Sequence, residues 1–362
     1  MDFIEILKKL VSFQTTPQNL QEKKKAIFWI LKFLKKFPLK LKYFEFSGEP
    51  SLVALVKNKN PQIFLAAHMD VVPASLKLFQ LKIKNKKAFG RGVFDMKFAI
   101  ACYLRLIEEL KNNFKKLDLG IIITSDEETG GFLGTKKLIE KGFKSKVVFL
   151  PDGGENFKLE KKAKGVWHLK IKFSGKSAHG SRPWEGDGAN EKMIEFLREF
   201  KKFFPKEPCN DKNHWHRTLT VGKIEGGKVI NQVSDSAQAF LDIRYLKEKE
   251  KKRIENYLGE LSKKFSGEVE ELVLAKPYEI DLKNKFVKNF LKTLREKLKI
   301  KPQFTFSHGS SDARFFFEKK IPTILIRPKG GGHHSEKEWI DLESLEKFYF
   351  LLKEWIKQNF NL

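Results

Sequence analysis

The chain has 362 residues, of which 41% are hydrophobic, and its formal net charge is +26. This length is typical of two domains, each with its own hydrophobic core. The lysines are scattered through nearly every segment, whereas a nucleic-acid-binding protein would concentrate them on one face or in one basic arm, so the charge alone does not indicate that class.

Other function classes are also disfavoured by the sequence. No apolar run reaches the roughly 18–20 residues that a membrane helix needs, and the N-terminus has no secretory signal pattern. Two cysteines, Cys102 and Cys209, are too few for a disulfide framework. We therefore expect a soluble cytoplasmic protein that binds neither membrane nor nucleic acid.

The first 165 residues alternate helical and strand patterns, as α/β domains do. Helical spacing covers residues 2–12, 19–36, about 97–113 and about 131–141. Short apolar runs at 52–56, 63–67, 119–124 and 147–150 predict buried strands.

From Val166 the pattern changes to a smaller α+β module. Strands are predicted at 166–173, near 218–224 and 236–245, and near 269–274, with helices at about 187–202 and 248–264. This order predicts a ferredoxin-like module. The α/β pattern then resumes with a helix at 284–298, strands near 303–306 and 323–327, and a helix at 341–359. We predict one α/β catalytic domain from residues 1–165 and 276–362, interrupted by an insertion at 166–275.

Metal-ligand residue types follow several of the predicted strands. In open α/β sheets, the carboxyl ends of the strands are where sites form. Taken singly, these residues have ordinary structural explanations, such as a hydrogen-bonded histidine, an acidic helix start or a glycine turn. Together they indicate a metal centre, because bound cations would neutralise clustered acids, and mixed imidazole and carboxylate ligands suit zinc, with cobalt or manganese as substitutes. The residues of this predicted centre, including Asp95 in a glycine-flanked turn before a helix, are His68, Asp70, Asp95, Asp126, Glu127, Glu128, Asp152, His333 and His334.

Four motifs resemble the family of dinuclear zinc exopeptidases and deacylases, which includes succinyl-diaminopimelate desuccinylase, acetylornithine deacetylase, aminoacylase and carnosinase-like dipeptidases. They are His-x-Asp at 68–70, GRGVFDMK at 90–97, Ser-Asp-Glu-Glu at 125–128 and HHSEKEWI at 333–340. The resemblance covers essentially the whole chain. It implies a zinc-exopeptidase-like catalytic α/β sandwich with an inserted ferredoxin-like lid and dimerisation domain.

The resemblance also implies roles for individual residues. Asp95 would bridge two zinc ions, with His68 and Asp152 on one ion and Glu128 and His334 on the other. Asp70 would hold His68 in its ligating tautomer. Glu127 would be the general base and would not bind metal. The peptide bond after Asp95 would be cis.

Further residues are implied for the substrate. In SGKSAHGSRP at 174–183, His179 resembles a lid histidine that reaches the scissile carbonyl, often from the partner subunit of a homodimer. Asn231 and Arg244 match the lid segment that contacts substrate, and Arg314 and Gly309 are weaker candidates. His214 and His216 have no counterpart in the family, so a structural or surface role is expected for them.

We predict hydrolysis of an amide bond in a dipeptide or N-acyl amino acid. The alternative is a succinyl-diaminopimelate desuccinylase or acetylornithine deacetylase type of deacylase. Asp152 favours the peptidase branches, because those deacylases usually carry glutamate there, and Phe98 replaces a glycine common in the family. A nucleic-acid-binding protein and a catalytically inactive relative are the rival classes. The scattered charge argues against the first, and the complete set of inferred ligands and base argues against the second.

Overall fold

The computed structural model of the chain describes residues 3–206, 209–211 and 213–362. Asp2, the first residue of one predicted helix, lies outside them. The chain forms two compact units. The first comprises Met1–Lys161, Ile280–Phe306 and Ser311–Leu362, and the second comprises Lys162–Glu279 and Ser307–Ser310. These limits differ by four residues from the predicted junctions (161 against 165, and 279 against 275), and the second unit also takes in the short segment Ser307–Ser310.

The helices and strands have the following bounds. The α-helices are α1 (Phe3–Ser12), α2 (Leu20–Leu34), α3 (Lys97–Glu109), α4 (Thr135–Glu140), α5 (Ala189–Lys201), α6 (Glu248–Phe265), α7 (Lys285–Leu298), α8 (Ala313–Glu318) and α9 (Leu342–Phe360). The strands are β1 (Lys40–Phe46), β2 (Glu49–Leu55), β3 (Ile63–His68), β4 (Lys82–Lys84), β5 (Lys87–Phe89), β6 (Leu119–Thr124), β7 (Val147–Phe149), β8 (Lys158–Ala163), β9 (Gly165–Ser174), β10 (Thr218–Gly226), β11 (Ser236–Tyr245), β12 (Gly267–Ala275), β13 (Tyr278–Glu279), β14 (Gln303–Ser307), β15 (Thr323–Ile324), β16 (Gly330–Gly331) and β17 (Trp339–Asp341).

The first unit is built on a six-stranded sheet with the order β1-β2-β6-β3-β7-β15. The strands β6, β3, β7 and β15 run parallel, whereas β1 and β2 are antiparallel. Every residue of β3 and β6 is buried, as expected for strands inside a parallel sheet. Helix α3 packs on β3 and against α1, and ten of its residues are buried. The α/β architecture predicted for this part of the chain is therefore confirmed.

The second unit contains a four-stranded antiparallel sheet with the order β10-β11-β9-β12. Alternate residues of β9 and β11 are buried, and this face packs against helices α5 and α6. Phe173 of β9 contacts Phe196 of α5 with the ring centroids 5.3 Å apart. The element order and the sheet confirm the predicted ferredoxin-like module.

Several predicted elements differ from the structure. The helix predicted at 131–141 begins only at Thr135, because Gly130 and Gly131 have positive φ angles of +106° and +65° and shape the preceding loop. The strand predicted at 323–327 ends at Ile324. The short strands β4, β5, β16 and β17, which pair as a second sheet of the first unit, were not predicted. Within the described residues, no helix combines the length and apolarity needed to cross a membrane.

Candidate metal centre

Three neighbouring parallel strands of the first unit carry candidate ligands where they end. His68 is the last residue of β3, and Glu127 and Glu128 lie in a short 3-10 helix that follows β6. Asp152 follows β7. Because parallel strands end at the same edge of a sheet, these side chains are brought to one place. Asp95, two residues before α3, also reaches this edge.

The candidate ligands form two neighbouring groups. His68, Glu127 and Asp152 each offer a ligand atom, and all three atoms lie within 4.8 Å of one another. The same is true of Asp95, Glu128 and His334.

Asp95 has one carboxylate oxygen toward each group. Its Oδ1 lies 3.4 Å from Nε2 of His68, and its Oδ2 lies 3.3 Å from Nε2 of His334. Nε2 of His68 is 3.7 Å from Asp152 Oδ1, and Nε2 of His334 is 3.2 Å from Glu128 Oε2. A carboxylate placed in this way can bridge two cations.

Strong local fields act on the two histidines. Burial lowers the pKa of His68, but the neighbouring carboxylates of Asp152, Asp70 and Asp95 raise it by more, so the net direction is upward. Hydrogen bonding to Asp95 and Glu128 raises the pKa of His334 to about 10. Both imidazoles are thus surrounded by negative charge, which also favours a bound metal cation.

Glu127 has an environment suited to a carboxyl group that exchanges protons. Burial raises its pKa well above the usual range, and the negative charges of Asp152, Asp312 and Glu128 add to this, while His68 opposes them. A carboxylate with a raised pKa is a stronger base than an ordinary glutamate. Glu127, predicted to be the general base and not a metal ligand, lies next to His68 and Asp152.

Supporting contacts hold the candidate ligands in position. Asp70 Oδ2 accepts a hydrogen bond from the Glu128 backbone N–H at 2.9 Å, and Nδ1 of His68 lies 3.1 Å from the Asp70 carbonyl oxygen. The Glu338 carboxylate accepts from the backbone N–H groups of Phe94 at 3.0 Å and Asp95 at 3.1 Å. The peptide bond between Asp95 and Met96 is cis, as the family resemblance predicted.

Sequence reasoning missed Arg327. This buried side chain donates from Nη2 to Oδ1 of Asp95 at 3.1 Å and also to Oδ1 of Asp152. It therefore lies between two of the predicted ligands. An arginine at the end of the apolar run ILIR was the available signal, because an arginine is rarely buried without a carboxylate partner.

The residues present fit a pair of divalent cations. Nε2 of His68 and Oδ1 of Asp70 are buried and have no hydrogen-bond partner within the described part of the chain. Buried polar atoms are normally satisfied, and an imidazole nitrogen aimed at carboxylates without a hydrogen bond is typical of a metal ligand. The donor set of imidazoles and carboxylates is one that zinc accepts.

The lid candidates lie in the second unit. His179 and Gln232 form an isolated β-bridge, and the Gly180 N–H donates to the Asn231 carbonyl oxygen at 2.7 Å. The structure thus brings His179 and Asn231 together, although they are far apart in sequence. His179 is exposed, and its Nδ1 accepts from the Ser181 N–H at 3.2 Å.

The remaining substrate candidates have protein partners. The Arg244 guanidinium pairs with both carboxylate oxygens of Asp242, at 2.7 and 2.9 Å, and lies 3.5 Å from the carbonyl oxygen of His308, next to Gly309. Arg314, in the first unit, donates to the Gly130 carbonyl oxygen in the loop after Glu128. These contacts indicate that Arg314 positions that loop, and its predicted contact with substrate stays a prediction.

Comparison with known proteins identifies the class. Residues 64–358 match the family described as peptidase family M20/M25/M40, so this chain belongs to that family. It is therefore a hydrolase.

The most similar relatives found include the succinyl-diaminopimelate desuccinylases of Pelagibacter ubique (strain HTCC1062) and Rickettsia akari (strain Hartford). The first is 28% identical over 91% of this chain and 94% of its own length. The second is 26% identical over 97% of this chain and 99% of its own.

Solved structures share the fold at low sequence identity. A tripeptidase from Staphylococcus aureus has a TM-score of 0.83 and 20% identity, covering 99% of this chain and 98% of its own. Human carnosine dipeptidase 1 has a TM-score of 0.72 and 14% identity, covering 99% of this chain and 96% of its own.

Proposed function

We propose that this chain hydrolyses an amide bond in a dipeptide or N-acyl amino acid, using two zinc ions and Glu127 as general base. The observation that carries this proposal is the meeting of His68, Asp95, Glu128 and Asp152 at one sheet edge with Glu127 beside them. Cobalt or manganese are candidate substitutes for zinc.

The proposed roles follow from the positions of the side chains. Asp95 would bridge the ions, with His68 and Asp152 on one side and Glu128 and His334 on the other. When bound, the ions would polarise the scissile carbonyl and acidify a water molecule. Glu127 would take the proton of the attacking water and pass it to the leaving amine, for which its raised pKa is suitable. Asp70 would fix the orientation of His68.

A succinyl-diaminopimelate desuccinylase is the second candidate. The names of the curated relatives favour it, since they match more than nine-tenths of this chain. The aspartate at position 152, where that branch usually has glutamate, favours a peptidase instead. An acetylornithine deacetylase type of deacylase belongs to the same alternative. Turnover of N-succinyl-diaminopimelate far faster than of any dipeptide would decide for the desuccinylase.

The test compares wild type with Glu127→Gln on a panel of dipeptides, N-acyl amino acids and N-succinyl-diaminopimelate. We expect about two zinc ions per chain in both proteins, and a fall in kcat of about 10²–10⁴-fold in the variant. Glu140→Gln, which alters an exposed glutamate paired with Lys137, is the matched control and should keep full activity. Absence of metal from the wild type, or an unchanged kcat in Glu127→Gln, would refute the proposal.

We also propose a homodimer that forms through the second unit. Trp184, Ile224 and Ile230 are exposed apolar side chains of this unit, and Ile230 precedes the lid candidate Asn231. Ile230→Asp should shift the sedimentation coefficient toward that of a monomer. A wild-type protein that sediments only as a monomer would exclude action of His179 on a partner subunit.

A further inference from the structure

A thiol and two imidazoles meet in the second unit, in the connection between α5 and β10. Sγ of Cys209 lies 3.2 Å from Nδ1 of His214 and 3.0 Å from Nε2 of His216. One potential ligand atom from each of the three residues lies within 4.8 Å of the others. Their sequence spacing is short, Cys-x4-His-x-His, so one loop supplies all three.

The orientation of His216 is that of a metal ligand. Its Nδ1 lies 3.0 Å from the Arg217 carbonyl oxygen, so this nitrogen carries the hydrogen. Nε2 then has its lone pair directed toward Cys209. A ring nitrogen that donates to a backbone carbonyl while the other nitrogen faces a cation site is the common arrangement of zinc-bound histidine.

Independent contacts hold this loop in its shape. The Asp211 carboxylate accepts from the backbone N–H groups of Asn213 at 2.9 Å and Trp215 at 2.7 Å. Lys164, which is buried, donates from Nζ to the His214 carbonyl oxygen at 2.7 Å. His214 itself has a φ of +48°, a left-handed conformation uncommon for residues other than glycine. The three side chains are thus held together before any ion binds.

We propose that Cys209, His214 and His216 bind a zinc ion that is distinct from the pair proposed at the sheet edge. A thiolate with two imidazoles is a preferred zinc donor set, and three protein ligands leave a fourth position for water. Binding would release the thiol proton of Cys209 to solvent. The ion would fix the loop between α5 and β10, which would make the structural or surface role expected for His214 and His216 a structural role as zinc ligands.

The ligand atoms distinguish this site from the proposed catalytic metal centre. The sheet-edge residues offer only nitrogen and oxygen, whereas this site includes sulfur. The other cysteine, Cys102, is fully buried in α3, and burial raises its thiol pKa well above the usual range. A cobalt–thiolate charge-transfer band in the near ultraviolet would therefore report Cys209.

The test loads the metal-depleted full-length protein with Co²⁺ and records the absorption spectrum, then measures zinc content after reloading with Zn²⁺. Wild type should show the charge-transfer band and bind about one zinc more than Cys209→Ser, which should lack the band. His216→Ala should also lose about one zinc. His168→Gln removes a histidine of β9 outside the cluster, as the matched control, and should keep both signals.

Hydrolysis of the best substrate checks that each variant is folded, and it should be unchanged in Cys209→Ser. Equal metal content in wild type and Cys209→Ser, without a charge-transfer band in either, would overturn the proposal. So would a Cys209 thiol whose alkylation rate is the same with and without added zinc, which would make the cluster an activated thiol instead.

Discussion

The Arg327 guanidinium lies between Asp95 and Asp152, two carboxylates that we propose as metal ligands. Its Nη2 donates a hydrogen bond to each of these carboxylates. Arg327→Met should lower the free energy of unfolding of the EDTA-treated protein by about 3–5 kcal/mol, because two buried carboxylates then lose the guanidinium that donates to both of them. Zinc should reduce this loss, since bound ions would neutralise the same carboxylates. Urea unfolding with EDTA and with zinc measures both effects.

Arg105→Met is the matched control for this experiment. Arg105 forms an exposed pair with Glu109 at 2.9 Å, and such pairs contribute less than about 1 kcal/mol. An equal loss in Arg327→Met with and without zinc would show that Arg327 stabilises the protein by packing alone.

The stability of the folded protein should depend on pH through the carboxyl group of Asp312. Burial and the neighbouring charge of Asp126 raise its pKa to about 7, although a hydrogen bond from Thr135 and the charge of Arg314 act in the opposite direction. Between its ordinary value of 3.8 and about 7, the folded protein keeps a proton that the unfolded chain has lost. The contribution of Asp312 to stability therefore falls as pH rises through this range, by at most about 1.4 kcal/mol per pH unit.

Asp312→Asn should remove this contribution, because asparagine is neutral at every pH and can still accept from Thr135. Relative to wild type, the variant should become more stable as the pH is raised from 5 to 8. Urea unfolding of both proteins at the two pH values measures the difference. A difference that stays constant with pH would mean that Asp312 is already ionised in the folded protein at pH 5.

At the level of residues, the sequence located most of the candidate metal centre because ligand types at strand ends meet at one sheet edge. His68, Glu127 and Asp152 were found in this way. Arg327 and Glu338 were given no role, because their partners lie more than 170 positions away in the chain and no local pattern shows such pairings.

Gly154 lies where the segments before β8 and after β15 approach each other closely. Its φ is +72°, and a Cβ atom at this position would lie within 2.5 Å of the Leu325 carbonyl oxygen. Its own carbonyl accepts from the Arg327 N–H at 2.7 Å. Gly154→Ala should therefore lower the free energy of unfolding by more than about 1 kcal/mol and weaken zinc binding, because the segments that carry Asp152 and Arg327 must separate.

Gly259→Ala should stabilise the protein, in contrast to Gly154→Ala. This glycine lies within α6, and apart from its chain neighbours and the nearby helix backbone, no atom of the described residues lies within 4 Å of the position that a Cβ would take. Alanine there should raise the free energy of unfolding by up to about 1 kcal/mol, since alanine is the better helix former. Thermal unfolding of both variants and of wild type measures the two effects. A Gly154→Ala variant more stable than wild type would contradict the close approach of the chain segments described at Gly154.

At the level of elements, prediction succeeded where a local period was long enough. Helices α2, α7 and α9 have fourteen or more residues with apolar side chains at helical spacing. The strands β16 and β17 have two and three residues, and β17 pairs with β5, about 250 positions earlier in the chain. A strand of this length exists only because of its partner, so local sequence does not define it.

The net charge of +26 belongs to the molecule as a whole. A field of this sign should speed the encounter with anionic substrates and should be screened by salt. We expect kcat/KM for N-succinyl-diaminopimelate, if it is a substrate, to fall by about tenfold from low to high ionic strength. A net-neutral dipeptide is the control and should change much less. The same salt dependence for both substrates would rule out steering by the charge.

The first unit is assembled from both ends of the chain, and the second unit lies between them in sequence. The Glu338 carboxylate accepts a hydrogen bond from the Asp95 N–H and pairs with Arg91, 247 residues earlier in the chain. The ribosome must therefore synthesise the whole second unit before the first unit can close, and until then β7 lacks its pairing partner β15. During synthesis we expect the open apolar edge at β7 to attract chaperones and to favour aggregation, and the metal centre should form only after His334 and Glu338 have been made.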